Sequence, residues 1–172
     1  EVDAIKNEIN SLVKNGTKEI VLLGQNVNSY GIGLDDSLDF SDLLTEICKG
    51  TDAHRIRFMT SHPKDLSDKL IDTMTREDKV CNHIHLPMQS GSNTMLEVMN
   101  RKYTREHYYK LIKKLRDTVP NIEISTDIIV GFPNESEQDF NDTLDLVNKS
   151  QFSSAFMFKY SKRASTPASI MD

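Results

Sequence analysis

Short apolar segments alternate with longer amphipathic segments along most of the chain. The short segments suit one strand each and are rich in β-branched residues; they cover residues 19–23, 55–59, 82–86, 122–130 and 151–159. The longer segments repeat apolar residues at spacings of three and four, which is typical of helices. Because a crossover between parallel strands is right-handed in nearly all proteins, this alternation predicts an α/β fold with a curled parallel sheet or partial barrel.

Residues that cap helices indicate where the predicted helices begin. Ser, Thr and Asp at the N-cap accept hydrogen bonds from the first turn. The predicted helices cover residues 2–15, start at Asp39 or Ser41, at Asp65 or Ser67, at Ser92 and at Ser136, and cover residues 104–118. In the helix after Ser136, Phe140, Leu144 and Val147 recur on one face.

Each predicted strand is followed by polar residues with glycine or proline. These clusters cover residues 24–26, 60–63, 87–92, 131–135 and 160–167. In a parallel sheet covered by helices, the ligand site lies just beyond the carboxyl ends of the strands. We therefore expect the five clusters to meet at one rim and to form the active site.

Length and composition indicate one globular domain. A chain of 172 residues can bury a sizeable core, and it contains no apolar run near the roughly 18 residues of a membrane span. Its two cysteines, Cys48 and Cys81, match no zinc or iron–sulfur spacing, which favours a reducing compartment. We expect a cytoplasmic protein without a membrane partner.

The net charge of −5 argues against a bulk electrostatic grip on nucleic acid. Local basic residues remain candidates, because Lys159 and Arg163 follow the last predicted strand and would face the rim. Side chains of this kind position a nucleic acid by contacting its phosphates, without reading its sequence.

Polar residues inside or just after the strands are the candidates for chemistry. Ser125 and Asp127 share one face of the most apolar strand, and a buried Asp is rare without a partner or a function. His83 and His85 also share a face, as a metal pair would, but the sequence offers no third ligand. His62 could serve as a general base or simply belong to a turn that caps the next helix.

The cluster after the fourth strand could accept a planar group. Gly131 lets a ligand approach the backbone, and Phe132 offers an aromatic ring. The sequence contains no glycine-rich phosphate loop, nucleophile elbow or zinc signature. From the residues alone, the interpretation ends at an α/β enzyme domain with a polar rim.

Six segments, taken in order, resemble the radical S-adenosylmethionine methylthiotransferases. They cover residues 22–27, 55–63, 85–92, 99–104, 126–135 and 165–168, and thus span nearly the whole chain. Within that family, residues 61–63 resemble the tRNA enzymes that methylthiolate N6-isopentenyladenosine at position 37.

The resemblance implies a partial (β/α)6 barrel of the radical SAM type. Residues 1–172 would form an incomplete core domain whose five strands are the second to sixth of the barrel. The first strand and its Cys-x-x-x-Cys-x-x-Cys loop are absent from this sequence. The family uses S-adenosylmethionine and two [4Fe–4S] clusters, whose ligands would lie outside this chain, so we expect no metal ligand and no activity in residues 1–172 alone.

The resemblance also implies the chemistry and the partners. An electron from a cluster cleaves S-adenosylmethionine, the resulting radical removes hydrogen from C2 of the adenine, and sulfur and a methyl group are added there. The expected partners are a tRNA substrate and an electron donor such as flavodoxin or ferredoxin, and the expected state is a monomer.

Residues are assigned to ligands by the motifs that they match. The residues expected at S-adenosylmethionine are Gly24, Gln25, Gln89, Ser90, Ser125, Asp127, Val130, Gly131, Phe132, Phe158 and Tyr160. Those expected at the tRNA are His62, Lys159 and Arg163. No catalytic side chain is expected within this chain, because the cofactors perform the difficult steps.

Two other functions stay open. One is the related branch that acts on threonylcarbamoyladenosine in tRNA. The other is an α/β barrel that binds ligands without a cluster.

Overall fold

A computed structural model describes residues 1–33, 38–59, 62–164 and 166–171. Its helices and strands are, in chain order, α1 Val2–Lys14, β1 Glu19–Leu22, α2 Phe40–Gly50, β2 Arg55–Phe58, α3 Asp68–Arg76, β3 His83–His85, α4 Asn93–Val98, α5 Arg105–Thr118, β4 Glu123–Val130, α6 Glu137–Ser150 and β5 Ser154–Lys159. The alternation of strands and helices predicted from the sequence is confirmed. In these ranges, every helix is too short or too polar to span a membrane.

All strand pairs in the described ranges are parallel, and consecutive strands are neighbours. β1 pairs with β2, and β3, β4 and β5 pair in that order. Between the two sheets, Ile56 N donates to Lys79 O at 2.8 Å and Cys81 N donates to Ile56 O at 2.9 Å. The described strands therefore form an open row and not a closed barrel. An open row is what a partial barrel requires.

The row of strands is divided into two sheets, which the sequence pattern did not indicate. His83 N donates to Cys81 O at 2.7 Å and so forms a tight turn. Because the His83 amide is used in this turn, it does not pair with β2. The predicted strand over residues 151–159 is also wrong at its start. Gln151 has a left-handed φ of 51° and ends α6, so β5 begins only at Ser154.

The core lies between the sheets and the helices. Alternate strand residues point toward the helices, and Ile56, Phe58, Ile84 and Ile124 have no exposed surface. The opposite face, which we call the inner face, carries His85, Ser125 and Phe156. His85 on β3 and Ser125 on β4 are register partners, and Phe156 on β5 pairs with the residue two positions after Ser125. Strand periodicity thus separates an apolar outer face from a largely polar inner face.

Five helix N-termini are capped by side chains, four of them at residues that the sequence predicts as helix starts. The side chains of Asp39, Ser67, Ser92, Thr104 and Ser136 each accept a hydrogen bond from a backbone N–H in the first turn of α2, α3, α4, α5 and α6. Each cap contributes about 1 kcal/mol. The structure thus selects Asp39 over Ser41 and Ser67 over Asp65.

The loop after β3 is held against α6. Gly91 N donates to Thr143 Oγ1 at 2.9 Å, and Ser92 Oγ donates to Asp139 Oδ1 at 2.5 Å. Consequently the buried side of α6 includes Asp139 and Thr143. The apolar residues Phe140 and Leu144 are both exposed, because the polar contacts with the loop decide which side of the helix is covered.

Replacing Gly91 with Ala should destabilise the protein. An added Cβ would lie 2.5 Å from Asp142 O and 2.6 Å from Thr143 Cα, and these backbone atoms have no room to move. We expect the free energy of unfolding, measured by urea denaturation, to fall by about 1–3 kcal/mol. Gly50→Ala is the matched control, since its Cβ would meet only the flexible end of Lys6. Equal losses in both variants would contradict the packing argument.

Replacing Asp139 with Asn should weaken the same contact in a pH-dependent way. Hydrogen bonds from Ser136 and Ser92 lower the pKa of the Asp139 carboxyl. A folded pKa below the unfolded value stabilises the protein above about pH 4, and this stabilisation is lost as the pH falls through the folded pKa. We expect Asp139→Asn to cost about 1–3 kcal/mol at pH 7.

The difference between Asp139→Asn and the parent protein should shrink below about pH 4 in urea titrations, because the parent then protonates Asp139. Asp72→Asn, at an exposed helix position, serves as the control and should change the unfolding free energy by less than about 0.5 kcal/mol. A cost for Asp139→Asn that stayed constant down to pH 2 would exclude the carboxylate as its cause.

Candidate functional site

The loops after β1 and β2 are joined by side-chain amides. Asn28 Nδ2 donates to His62 O at 3.2 Å, and His62 N donates to Asn28 Oδ1 at 3.1 Å. Asn26 Nδ2 donates to Asp65 Oδ2 at 2.6 Å. Two of the predicted strand-end clusters therefore meet. Thr60 and Ser61, in the second of them, lie outside the described residues.

One ring nitrogen of His62 is used in a hydrogen bond within the local turn. Nδ1 accepts a hydrogen bond from Lys64 N at 3.2 Å, and burial, followed by the charge of Arg101, lowers the pKa of His62. The geometry thus places His62 in a turn to which its own ring nitrogen contributes a hydrogen bond. Only Nε2 is left to meet a ligand.

Tyr103 connects this part of the rim to the loop after β3. Its ring packs edge-on against His62, with centroids 5.6 Å apart, and its hydroxyl donates to Pro87 O and Met88 O, both at 3.1 Å. Burial raises the pKa of Tyr103 to about 12, so the phenol keeps its proton at neutral pH. Sequence reasoning did not assign Tyr103 a role, although it lies in one of the six matched segments.

Gln89 occupies a strained position directly above β3. Its φ of 64° lies in the left-handed region, which costs a residue other than glycine about 1–2 kcal/mol. Two hydrogen bonds with β4 hold it there: Gln89 N donates to Asp127 O at 2.8 Å, and Gln89 O accepts from Ile129 N at 2.9 Å. The backbone at Gln89 thus extends the sheet by one bridge beyond the end of β3.

The next residue, Ser90, turns away from the inner face. Its side chain has no exposed surface, and its Oγ lies 3.2 Å from Thr143 Oγ1 on α6. Ser90 was predicted to contact a ligand together with Gln89. The structure instead places the Ser90 hydroxyl in the contact between the loop and the helix.

Four polar side chains of β3 and β4 form a connected group on the inner face. His85 Nδ1 lies 3.0 Å from Ser125 Oγ, and His85 Nε2 lies 3.3 Å from Asp127 Oδ2. His83 Nε2 lies 3.3 Å from Ser125 Oγ. Within the described ranges, no group of three or more His, Cys, Asp or Glu residues could hold a metal ion.

An aromatic cavity opens beyond the carboxyl ends of β4 and β5. Its volume is about 490 Å³, and its lining residues are Ile129, Phe132, Phe158, Lys159, Tyr160, Ser161, Arg163, Thr166 and Ala168. The ring centroids of Phe132 and Tyr160 are 5.0 Å apart, and Phe158 is 53% exposed. The Tyr160 hydroxyl is buried without a hydrogen-bond partner among the described residues.

Gly131 forms the turn at the edge of this cavity. Its φ of 69° favours glycine, and a Cβ there would meet nothing closer than Lys159 Cγ at 4.0 Å. Its N–H donates to the Glu135 carboxylate, and Tyr160 N donates to Val130 O at 2.8 Å. Backbone at the end of β4 is therefore ordered and remains open to a flat ligand.

The remaining predicted residues lie at the other end of the row of strands. Gly24 and Gln25 are exposed after β1, and Gly24 borders a second cavity of about 530 Å³ between α1 and β1. That cavity is mostly apolar. Of the predicted site, the structure thus brings together the residues of β4 and β5 with Gln89, and it leaves Gly24 and Gln25 apart from them.

Comparison with known proteins supports a common fold. A family model described as the radical SAM superfamily matches residues 1–147. Two solved structures share the fold at low identity. A radical S-adenosylmethionine methyltransferase from Kitasatospora setae has a TM-score of 0.76 at 16% identity, covering 99% of this chain and 33% of that one. Coproporphyrinogen III oxidase from Escherichia coli has a TM-score of 0.69 at 18% identity, covering 98% and 38%.

Relatives of similar sequence are longer proteins. The chain is 58% identical over 171 residues to a tRNA-2-methylthio-N(6)-dimethylallyladenosine synthase from Alkaliphilus oremlandii, covering 99% of this chain and 36% of the relative. It is 55% identical to the protein of the same name from Clostridium tetani, covering 98% and 37%. The chain therefore spans about a third of their length. The family match over residues 1–147, on a row of parallel strands with its polar rim at their carboxyl ends, establishes that the chain belongs to the radical SAM superfamily.

Proposed function

We propose that this chain is the central part of a tRNA methylthiotransferase that adds a methylthio group to C2 of N6-isopentenyladenosine at position 37. The observation that carries the proposal is 58% identity over 99% of the chain to a protein named for that product. In this proposal residues 1–172 form the radical SAM core, and β1 to β5 correspond to the second to sixth strands of its barrel. The activity belongs to the longer protein, and residues 1–172 alone are inactive.

The inner face and the aromatic cavity fit a nucleoside cofactor such as S-adenosylmethionine. A cavity of about 490 Å³ is within the usual size of small-molecule sites. The unpartnered Tyr160 hydroxyl and the exposed ring of Phe158 are groups that a heteroaromatic ligand would satisfy. When bound and reduced, S-adenosylmethionine supplies the radical that removes hydrogen from the substrate.

The residues of this chain bind and orient that cofactor. Val130, Gly131 and Phe132, with the backbone near Phe158 and Tyr160, line the adenine. Gln89, in the loop after β3, donates its backbone N–H to the Asp127 carbonyl on β4, and both residues offer polar atoms to the sugar. Ser90 and Ser125 are engaged by other side chains, so they support the site from behind.

Gly24 and Gln25, at the end of β1, would hold the methionine part of the cofactor. Both are exposed and follow β1, as Phe132 and Tyr160 of the aromatic cavity follow β4 and β5.

The cysteines of this chain do not fit an iron–sulfur cluster. Cys48 is buried in α2, and burial raises its pKa to about 11, which opposes the thiolate that a cluster requires. Cys81 alone cannot hold a [4Fe–4S] cluster, which needs several cysteine thiolates. The two [4Fe–4S] clusters of the proposal are therefore assigned to cysteines outside residues 1–172.

The tRNA would approach the mouth of the aromatic cavity. Lys159 and Arg163 line it and could contact phosphates, and His62 offers its Nε2–H as a donor at the opposite side of the rim. An electron donor such as flavodoxin or ferredoxin, the monomeric state and the cytoplasmic location stay predictions for the full-length protein.

The proposed product can be identified directly. Full-length protein with reconstituted clusters, S-adenosylmethionine, a reductant and tRNA carrying N6-isopentenyladenosine should yield the 2-methylthio nucleoside in mass spectrometry. Residues 1–172 alone should yield neither this product nor 5′-deoxyadenosine. Methylthiolation of threonylcarbamoyladenosine only would favour the related branch, and binding without any turnover would favour the cluster-free module.

Phe158 and Met157 provide a matched pair for the cofactor site. They are neighbours on β5 but point to opposite faces, and Met157 is 74% exposed. Phe158→Ala removes an aromatic contact worth about 0.5–1.5 kcal/mol. It should therefore weaken the binding of S-adenosylmethionine to the full-length protein about three- to tenfold. Equilibrium dialysis measures this change. Met157→Ala should bind as the parent does, and equal binding by all three proteins would rule out the assigned cavity.

A further inference from the structure

The polar group on the inner face forms a single line across two strands. Its members follow in space as His83, Ser125, His85 and Asp127, joined by contacts of 3.3, 3.0 and 3.3 Å. His85 and Ser125 are direct register partners, so the pairing of β3 with β4 fixes their separation. The line depends on backbone pairing and not on flexible surface side chains.

The donor and acceptor groups of the four side chains allow the hydrogen bonds along this line to run in one direction. The Asp127 carboxylate can only accept, so His85 Nε2 carries a proton and donates it. His85 Nδ1 then accepts the hydrogen bond of the Ser125 hydroxyl. The Ser125 oxygen accepts in turn from His83 Nε2. Every contact in the line is thus satisfied when both imidazoles are neutral.

The surroundings of His83 agree with this direction. His83 Nδ1 is buried and has no hydrogen-bond partner among the described residues, as an unprotonated nitrogen would allow. Burial, followed by the charge of Arg57, lowers the pKa of His83, while Glu123 opposes that effect. On β5, the ring of Phe156 packs edge-on against His85 at 6.1 Å and closes the remaining side.

The end of the line is open toward the proposed ligand. Asp127 uses Oδ2 for His85, and its side chain is 28% exposed. Its backbone oxygen accepts from Gln89 N, which places the strained loop residue directly beside it. Among the described residues, none donates to the second carboxylate oxygen, Oδ1, so this oxygen can accept a hydrogen bond at the inner face.

We propose that His85 is a positioning residue, which holds the Asp127 carboxylate so that its second oxygen accepts from a hydroxyl or amino group of a nucleoside ligand. Ser125 and His83 act through His85 by fixing its ring and its tautomer. The proposal rests on the function proposed above for the presence of a nucleoside on the inner face. It also changes the role expected for Ser125, from a ligand contact to a support.

Nuclear magnetic resonance tests the direction of the line without any ligand. Residues 1–172 contain five histidines, and long-range proton–nitrogen spectra of the 15N-labelled chain distinguish the two neutral tautomers. We expect the Nε2–H form at His85, with a change in its ring nitrogen shifts in Ser125→Ala. Exposed His54 and His107 should not respond and serve as internal controls. A His85 ring in the Nδ1–H form would overturn the proposal.

Two substitutions at His85 separate positioning from simple packing. In Gln the side-chain amide can reach the place of Nε2 and donate to Asp127, whereas the shorter Asn can reach only toward Ser125. For full-length, cluster-loaded protein we expect the Kd for S-adenosylmethionine to rise about tenfold in His85→Asn and less than about threefold in His85→Gln. Equal weakening would indicate a merely structural histidine and would overturn the proposal.

The same measurements distinguish failure of this inference from failure of the proposed function. Weaker binding by Phe158→Ala together with unchanged binding by His85→Asn would overturn the positioning role and leave the cofactor site intact. Unchanged binding in both variants would overturn the cofactor site itself, and with it the proposed role of His85.

Discussion

Burial of one face of the parallel strands against the helices is the constraint on which the rest of this structure depends. Ile56, Phe58, Ile84 and Ile124 have no exposed surface, and each such residue contributes about 1.5–3 kcal/mol by leaving water. Because successive strand residues point to opposite faces, that burial also determines which residues occupy the inner face. The polar line from His83 to Asp127 is the direct consequence.

The rim is stabilised by a second kind of contact, between loops that follow different strands. The Asn28 amide bonds to both backbone groups of His62, and Tyr103 connects that loop to the carbonyls after β3. On the other side, Gly91 and Ser92 are held by α6. A site with supports of this kind can keep a strained residue such as Gln89 in place, and precise positions are what a cofactor-driven reaction requires of its protein.

Predictions from the sequence were most accurate where local physics is strong. The strand and helix order, the helix starts at Ser92 and Ser136, and the location of the polar clusters beyond the strands follow from periodicity and from capping chemistry. They were least informative on α6. Phe140 and Leu144 recur on one face of that helix, yet polar contacts with the loop after β3 cover a different side of it.

The sequence by itself determined the fold class, the order of the elements, the family and the positions of the polar clusters beyond the strands, because each of these depends on periodicity or on a local motif. Only the tertiary structure decided how those residues are used. It turned Ser90 toward α6, tied Ser125 to His85, and placed Phe132 and Phe158 around one cavity. These contacts join residues more than 25 positions apart, and their partners are selected by strand register and helix packing, which no local pattern records.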